Sequence, residues 1–342
     1  MAQRITVLLL FGGESSEHTV SISSARNVFA ALDDTKFDVL LGFIDKTGRW
    51  WLLESLDQVA DTQDAPQISP ILGAKSFTTI PNNKFVTPDV ILPILHGENG
   101  EDGTVQGLAR LLHIPIVGCG VAASAVGIDK ILTKQLLEKN GIKTVPYDVH
   151  LEGEPMPSFS QLSSKLGTTL FVKPAGCGSS IGISKVKNDA ELAVALDEAH
   201  KFDTKVLIEQ AVTARELEVG ILGSGSSARA SGVGEVQAEG EFYSFESKYS
   251  AGSQSKIIIP ADIDNGLANE IRDIATRAYK ILGCEGLSRV DFFLADDNTL
   301  YLNEVNTLPG FTNISMYPKL WRQEGLSYSG LIESLISNAL EK

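Results

Sequence analysis

Residues 287–312, LSRVDFFLADDNTLYLNEVNTLPGFT, constrain this chain more than any other stretch. The apolar runs RVDFFLA and LYLNEVN have strand character, and the polar step Asp296-Asp297-Asn298-Thr299 between them reads as a hairpin turn. With Asp297-Asn298 as a two-residue turn, Asp291 lies opposite Glu304 and Arg289 opposite Asn306, because each pair is equidistant from the turn. Side chains two apart on a strand share a face, so these four point the same way and Val290, Phe292 and Val305 take the other. Two carboxylates close together on a half-buried sheet repel unless a cation lies between them. Oxygen donors from Asp291, Glu304 and Asn306, with no Cys or His, suit a hard ion such as Mg2+. The adjacent Arg289 points to a further anion to be neutralised. The plainer reading is a solvated surface hairpin; the apolar opposite face and the Leu308-Pro309-Gly310 step that follows favour the metal site.

A chain of 342 residues exceeds one core of ordinary size and implies two or three domains. The balance of 43 Asp and Glu against 29 Lys and Arg, a formal charge of −14, argues against a nucleic-acid partner and requires any anion-binding site to draw its positive charge locally. Cys119, Cys177 and Cys284 are odd in number and far apart, with no CxxC pair, which fits a reducing compartment and no structural zinc. The apolar run from Ile5 to Phe11 is short and leads into Gly12-Gly13 instead of a cleavage site. Nothing approaches the roughly 20 apolar residues of a membrane span. A cytoplasmic protein with no membrane partner is expected.

The first domain, 1–118, opens with RITVLLLFGGESSEHTVSISSARNVFAAL, a buried parallel-type strand, a Gly-Gly turn and a helix starting near Thr19 or Ser21. FDVLLGFID, DVILPILHG and IPIVG supply further strands, so a small doubly wound parallel α/β sheet is expected, with ligands at the carboxyl ends of its strands. Glu17 and His18 sit where they would simply cap the helix. The second loop, LHGENGEDGTVQGL, has the glycine content of a loop shaped for close backbone approach.

The middle domain, 119–210, carries VGIDKILTKQLLEKNGIKTVPY, with apolar positions at helical spacing from Ile128 to Leu137 and Asn140-Gly141 as a stop. Lys130 and Lys134 share a face of that helix, and lysines on helices are usually solvated. In LFVKPAGCGSSIGISKV a strand bearing Lys173 enters a loop with Gly176, Gly178, Ser179 and Ser180 before a second strand leaves it. Backbone N–H groups in such a loop form an anion nest for phosphates, with Lys173 as a nearby point charge; an ordinary hairpin is the alternative. VLIEQAVTARELEVGIL gives a strand, a connector and a further strand from Leu217 to Leu222.

In the last domain, 211–342, EFYSFESKYSAGSQSK has little periodicity and reads as a long lid or binding loop, since Phe242, Tyr243, Phe245 and Tyr249 are costly to leave in water. A helix over NGLANEIRDIATRAYKILGC ends at Gly283, and the closing segment YSGLIESLISNAL is amphipathic and expected to pack on a core.

GGESSEHTVS, LHGENGEDGTVQG, LFVKPAGCGSS, the Lys248-Tyr249 pair and SRVD with LNEVNTLPGFT stand in an order that resembles the D-alanine:D-alanine ligases of the ATP-grasp superfamily, across nearly the whole chain. The resemblance implies a three-domain ATP-grasp architecture, α/β (α+β), with ATP between the central and C-terminal domains. It implies ligation of two D-alanine molecules through a D-alanyl phosphate, giving ADP and phosphate, for peptidoglycan precursors. Glu17 would hold the ammonium of the first D-alanine and His96 its carboxylate; Ser315 and Met316 would hold the second carboxylate. Lys130, Lys173 and Lys248 would reach the ATP phosphates, with Gly178, Ser179 and Ser180 covering them. Glu209 would bind the adenine amino group, Gln210 and Val212 offer backbone edges, and Glu216 takes the ribose hydroxyls, with Asn303 beside Glu304 also at the nucleotide. Asp291, Glu304 and Asn306 would hold two Mg2+ ions, with Mn2+ as an alternative. Arg289 and the Gly310 N–H would stabilise the tetrahedral oxyanion, while Tyr249 joins Ser179 and Glu17 in a network that favours an amine as second substrate. Family likeness further implies a homodimer. Ligation of D-alanine to D-lactate or D-serine, and a degenerate ATP-binding protein, are the competing readings. Gly176 and Cys177 stand where the family often has a larger polar residue, so only backbone contacts carry over there.

Overall fold

The computed structural model describes residues 4–178, 181–237 and 256–341. Strand β1 (Ile5–Gly12) is buried from Val7 to Gly12, as a central parallel strand covered on both faces must be. Val7, Leu9 and Phe11 enter a core completed by the helices His18–Ala31 and Tyr328–Leu340. Leu8 and Leu10 enter a second core with the helix Thr104–Leu112. The amphipathic C-terminal segment therefore packs on the first sheet of the chain.

β1 pairs in parallel with β2 (Phe37–Ile44) and β7 (Val90–Ile94). IPIVG, expected as a further strand, contributes only a parallel bridge from Ile116 to Ile91. Pro115 has no N–H to donate, and Gly118, at a φ of +102°, turns the chain away. Four strands unassigned in the sequence, β3 (Trp50–Leu53), β4 (Gln67–Ile71), β5 (Ser76–Ile80) and β6 (Phe85–Val86), extend the sheet antiparallel from β2. The order is β6-β5-β4-β3-β2-β1-β7.

The second sheet, in the order β10-β9-β11-β8, is antiparallel: β8 (Tyr147–Leu151), β9 (Leu170–Pro174), β10 (Ser184–Val186) and β11 (Lys205–Gln210). Val206 and Ile208 pack on the helices Phe159–Leu166 and Asp189–Ala199, so Leu207 and Glu209 take the opposite face. Ile131, from the helix Lys130–Lys139, packs on Leu207 there. Asp129 caps that helix by accepting the N–H groups of Ile131 and Leu132. The apolar stripe read as continuous from Ile128 is thus two helices, Val121–Ile128 and Lys130–Lys139, because the extended backbone at Asp129 breaks it.

Residues 211–213 cross from β11 to β12 (Ala214–Leu222), in the third sheet. Its order is β14-β13-β12-β15-β16, with β13 (Arg229–Gln237), β14 (Lys256–Ile258), β15 (Leu287–Ala295) and β16 (Leu300–Asn306). The helix Asn265–Ile281 covers one face, through Ile271, Ala275, Ala278 and Tyr279. It stops at Leu282, with Gly283 following at a φ of +68°.

The β15–β16 hairpin pairs Asp291 with Glu304 and Arg289 with Asn306, as the spacing requires, but its turn differs. Ala295 and Thr299 close a three-residue loop, Asp296-Asp297-Asn298, in which Asn298 adopts a φ of +62°. Asparagine tolerates that left-handed conformation, and the Asp297 carboxylate accepts the Thr299 N–H at 2.9 Å. The extra turn residue would shift the register by one. A bulge at Asn303, between the pairs Asp291–Glu304 and Phe292–Leu302, absorbs it. Among the described residues no helix is long and apolar enough to cross a membrane.

Candidate active site

The polar side chains of interest fall into three groups, one on each sheet. The first lies at the carboxyl ends of β1 and β7. Glu17 precedes the helix His18–Ala31 but makes no side-chain capping bond, so capping does not explain it. Its carboxylate is buried and approaches Gly97, where a Cβ would lie 3.8 Å from Glu17 Oε2. His96 Nδ1 stands 3.8 Å from Glu101 Oε1, and Glu101 Oε2 accepts the Gly97 N–H at 3.1 Å. Burial works against the imidazolium, but the Glu101 and Glu17 carboxylates outweigh it and raise the His96 pKa above its ordinary value. Among the described residues the buried Nε2 of His96 makes no hydrogen bond of good geometry, which fits a carboxylate ligand. Gly178, in the loop after β9, approaches Glu101 Oε2: a Cβ there would lie 4.0 Å away. The glycine-rich loop and the first domain therefore meet.

The second group lies on the face of the second sheet towards the helix Lys130–Lys139. Lys173, on β9, contacts Glu209 Oε2 at 2.5 Å, and Lys134 contacts Oε1 at 2.6 Å. Lys134 and Glu209 are each 2% exposed. Burial raises the carboxyl pKa of Glu209, but the two ammonium groups outweigh it and the net shift is downward. No donor is aligned to hydrogen-bond Oε1 among the described residues. Lys130 does reach the glycine-rich loop, donating to the Cys177 carbonyl at 2.6 Å, and Gly176 N–H donates to Asp203 Oδ2 at 2.7 Å. The loop is strand–loop–strand, β9 to β10, as read from the sequence. Gln210 ends β11 and Val212 lies in the crossing to β12, where Glu216 is half-buried.

The third group is the polar face of β12, β15 and β16. Arg289 donates through Nε and Nη2 to both oxygens of Asp291, each at 2.7 Å, and its Nε lies 3.0 Å from Glu218 Oε2. Burial disfavours the guanidinium charge, yet Asp291, Glu218 and Glu304 outweigh it and drive its pKa further up. Asn306 Oδ1 accepts the Leu308 N–H at 3.0 Å, which fixes the amide with a lone pair to spare. Among the described residues three acids gather around one guanidinium, and the donors are hard oxygens, so this face fits Mg2+. Among the described residues no three His, Cys, Asp or Glu side chains stand close enough to hold an ion alone. That suits an ion whose shell is finished by Asn306 and by ligand phosphates.

Beyond this face, a Cβ on Gly310 would meet Ser315 Oγ at 2.9 Å, so a larger residue there would displace that hydroxyl. Ser315 Oγ accepts the Thr312 N–H at 3.0 Å and precedes the helix Met316–Gln323. The Met316 side chain is buried with Val236 and Leu320, which leaves its backbone N–H as the group available to an anion. Asn303 is the bulged residue of β16. Ser179, Ser180, Lys248 and Tyr249, and the long loop around the last two, lie outside the described residues.

Sequence reasoning missed Glu101, Glu218 and Lys134. Lys134 gave a usable signal, since Ile131, Lys134 and Leu137 recur every three residues on the buried side of their helix. Glu218 lies two residues from Glu216 on one strand and across from Asp291, a pairing visible only once β12 and β15 are neighbours.

The chain matches the family descriptions D-ala D-ala ligase N-terminus over residues 6–119 and D-ala D-ala ligase C-terminus over residues 136–337. It is 44% identical to D-alanine--D-alanine ligase A of Chromobacterium violaceum, an alignment covering 99% of this chain and 96% of that protein. The solved D-alanine-D-alanine ligase from Coxiella burnetii superposes with a TM-score of 0.87 at 33% identity, covering 99% of this chain and 96% of that one. A D-Ala:D-Ser ligase from Enterococcus faecalis superposes at 0.89, also at 33% identity, covering 98% of this chain and all of that one.

Proposed function

This chain belongs to the D-alanine--D-alanine ligase family, and as an ATP-dependent, ADP-forming ligase of D-alanine we propose that it divides the work among the three groups described above. The product, D-alanyl-D-alanine, is a peptidoglycan precursor. A carboxylate must be activated before an amine can attack it, because its negative charge repels nucleophiles. An oxygen of the first D-alanine displaces ADP from the γ-phosphorus of ATP, giving an acyl phosphate. The amine of the second then attacks the acyl carbon, phosphate leaves, and the nitrogen loses a proton.

Glu17 holds the ammonium of the first D-alanine and His96, kept cationic by Glu101, its carboxylate. Lys130 and Lys173 turn from Cys177 and Glu209 to the phosphates, joined by Lys248 and by the backbone of Gly178, Ser179 and Ser180. Glu209, Gln210 and Val212 line the adenine slot, Glu216 takes the ribose and Asn303 lies at the nucleotide. Asp291, Glu304 and Asn306 hold divalent metal, which the superfamily needs; two ions, Mg2+ or Mn2+, draw charge from the β- and γ-phosphates when bound. Arg289 and the Gly310 N–H face the oxyanion of the second step, and the N–H groups at Ser315 and Met316 take the second carboxylate. A cytoplasmic homodimer completes the proposal.

The observation that carries this reading is that Asp291, Glu304 and Asn306 share one face of the β15–β16 hairpin as hard oxygen donors, with Arg289 beside them. D-Serine as second substrate is the one alternative with support, because the D-Ala:D-Ser ligase superposes as well as the D-alanine ligase does. Incubation with ATP, Mg2+, D-alanine and an equal amount of D-serine, with products weighed by mass spectrometry, separates the two. D-Alanyl-D-alanine as main product supports the first reading; a mixed D-alanyl-D-serine product supports the second, and phosphate release without either sinks both.

A further inference from the structure

Glu209 is buried between two ammonium groups that are not equivalent. Lys134 is as deeply buried as Glu209, donates to the Val145 carbonyl at 3.2 Å and lies 5.3 Å from the centre of the Tyr147 ring. It sits on the inward face of its helix with Ile131 and Leu137. Lys173 is more open, at 13% side-chain exposure, and its strand ends in the glycine-rich loop. Lys173 can therefore turn away from Glu209, and Lys134 cannot.

A buried carboxylate deprived of both cations takes up a proton. Once Lys173 has left for phosphate, Lys134 is the cation that remains. We propose that Lys134 is the standing counterion of Glu209, a positioning residue that keeps this carboxylate an acceptor only and so makes the site select a 6-amino purine over a 6-oxo purine. The inference rests on the placement of adenine at Glu209. An ionised carboxylate accepts from the adenine amino group and repels a 6-oxo group, whereas a protonated one donates to the 6-oxo group. Lys134 contacts Glu209 Oε1 at 2.6 Å, and Oε2 is the oxygen that Lys173 leaves open when it turns away. Burial lowers the Lys134 pKa, and the Glu209 charge opposes that shift, so each group sustains the ionisation of the other.

The test compares ATP with inosine triphosphate, which carries a 6-oxo group and an N1 proton in place of the 6-amino group and the bare N1; the N1 difference is common to every variant, so the change in the ratio reports on Glu209. Both are assayed by D-alanine-dependent phosphate release, and their dissociation constants are measured on the full chain. Lys134→Met should lower the ATP:ITP ratio of kcat/KM about tenfold or more. Lys134→Arg should keep it. Lys173→Met should raise the KM for ATP but leave the ratio where it was, because Lys134 still holds Glu209. A parallel loss for both nucleotides in Lys134→Met overturns the inference. So does a ratio that collapses in Lys173→Met, an outcome that remains readable if Lys134→Met does not fold. Glu209→Gln separates the two levels. If it leaves the ratio unchanged, the adenine placement itself fails, and the inference with it; if it collapses the ratio while Lys134→Met does not, only the inference fails.

Discussion

The charged faces of the second and third sheets are built in opposite senses. On the second sheet one acid, Glu209, lies between two cations, Lys134 and Lys173. On the third sheet one cation, Arg289, faces three acids, Glu218, Asp291 and Glu304. Among the described residues the first face is the richer in cations and suits phosphates, and the second is the richer in acids and suits a metal ion. On the reading proposed above, a chain with a net charge of −14 would hold a polyanion by this local division.

The largest break in this contrast is Glu304→Gln. Losing one acid of the metal face should leave the fold intact and cut turnover by several kcal/mol of barrier, about a thousandfold, in steady-state phosphate release at saturating Mg2+. Full activity in this variant would remove the metal assignment. Arg289→Ala comes next, with a fall in kcat of about 10²–10³ if the guanidinium faces the oxyanion. Arg289→Lys should recover little, since lysine cannot reproduce the forked contact to Asp291 while facing a second anion.

A smaller effect sharpens the comparison at the first domain, where His96 borrows its charge from acids. The raised His96 pKa keeps the imidazolium to higher pH than an ordinary histidine, and the charge is lost as pH rises through that value. Glu101→Gln removes the nearer carboxylate, so the alkaline fall in kcat/KM for the first D-alanine should move to lower pH. A profile that does not move would exclude His96 from holding that substrate. The smallest effect is structural: Asn298→Val, forced into a φ of +62°, should cost about 1–2 kcal/mol of stability in thermal unfolding, with kcat unchanged.

Much of the metal face was legible because a hairpin has a period of two and its pairs mirror about the turn. The pairing of Asp291 with Glu304 followed even though the turn was taken one residue too short, since the bulge at Asn303 restores the register. That compensation has no local sequence signature. The β3–β6 extension escaped notice because its strands are short and partly exposed, with patterns such as the mixed burial of Gln67–Ile71 in place of a clean apolar run. Lys134 escaped because a lysine on a helix is usually solvated; its apolar stripe told otherwise, but its partner Glu209 lies on a strand 75 residues away. Sites assembled from distant strands are specified by sheet order, which is a property of the whole fold.

The most direct test of the division between the two faces is a Mn2+ titration followed by electron paramagnetic resonance of the free ion, in the presence of a non-hydrolysable ATP analogue. The wild-type chain should bind Mn2+, Glu304→Gln and Asp291→Asn should bind it weakly, and Glu209→Gln should bind it as the wild type does once the analogue is saturating. Undiminished Mn2+ binding in Glu304→Gln and Asp291→Asn would contradict the account.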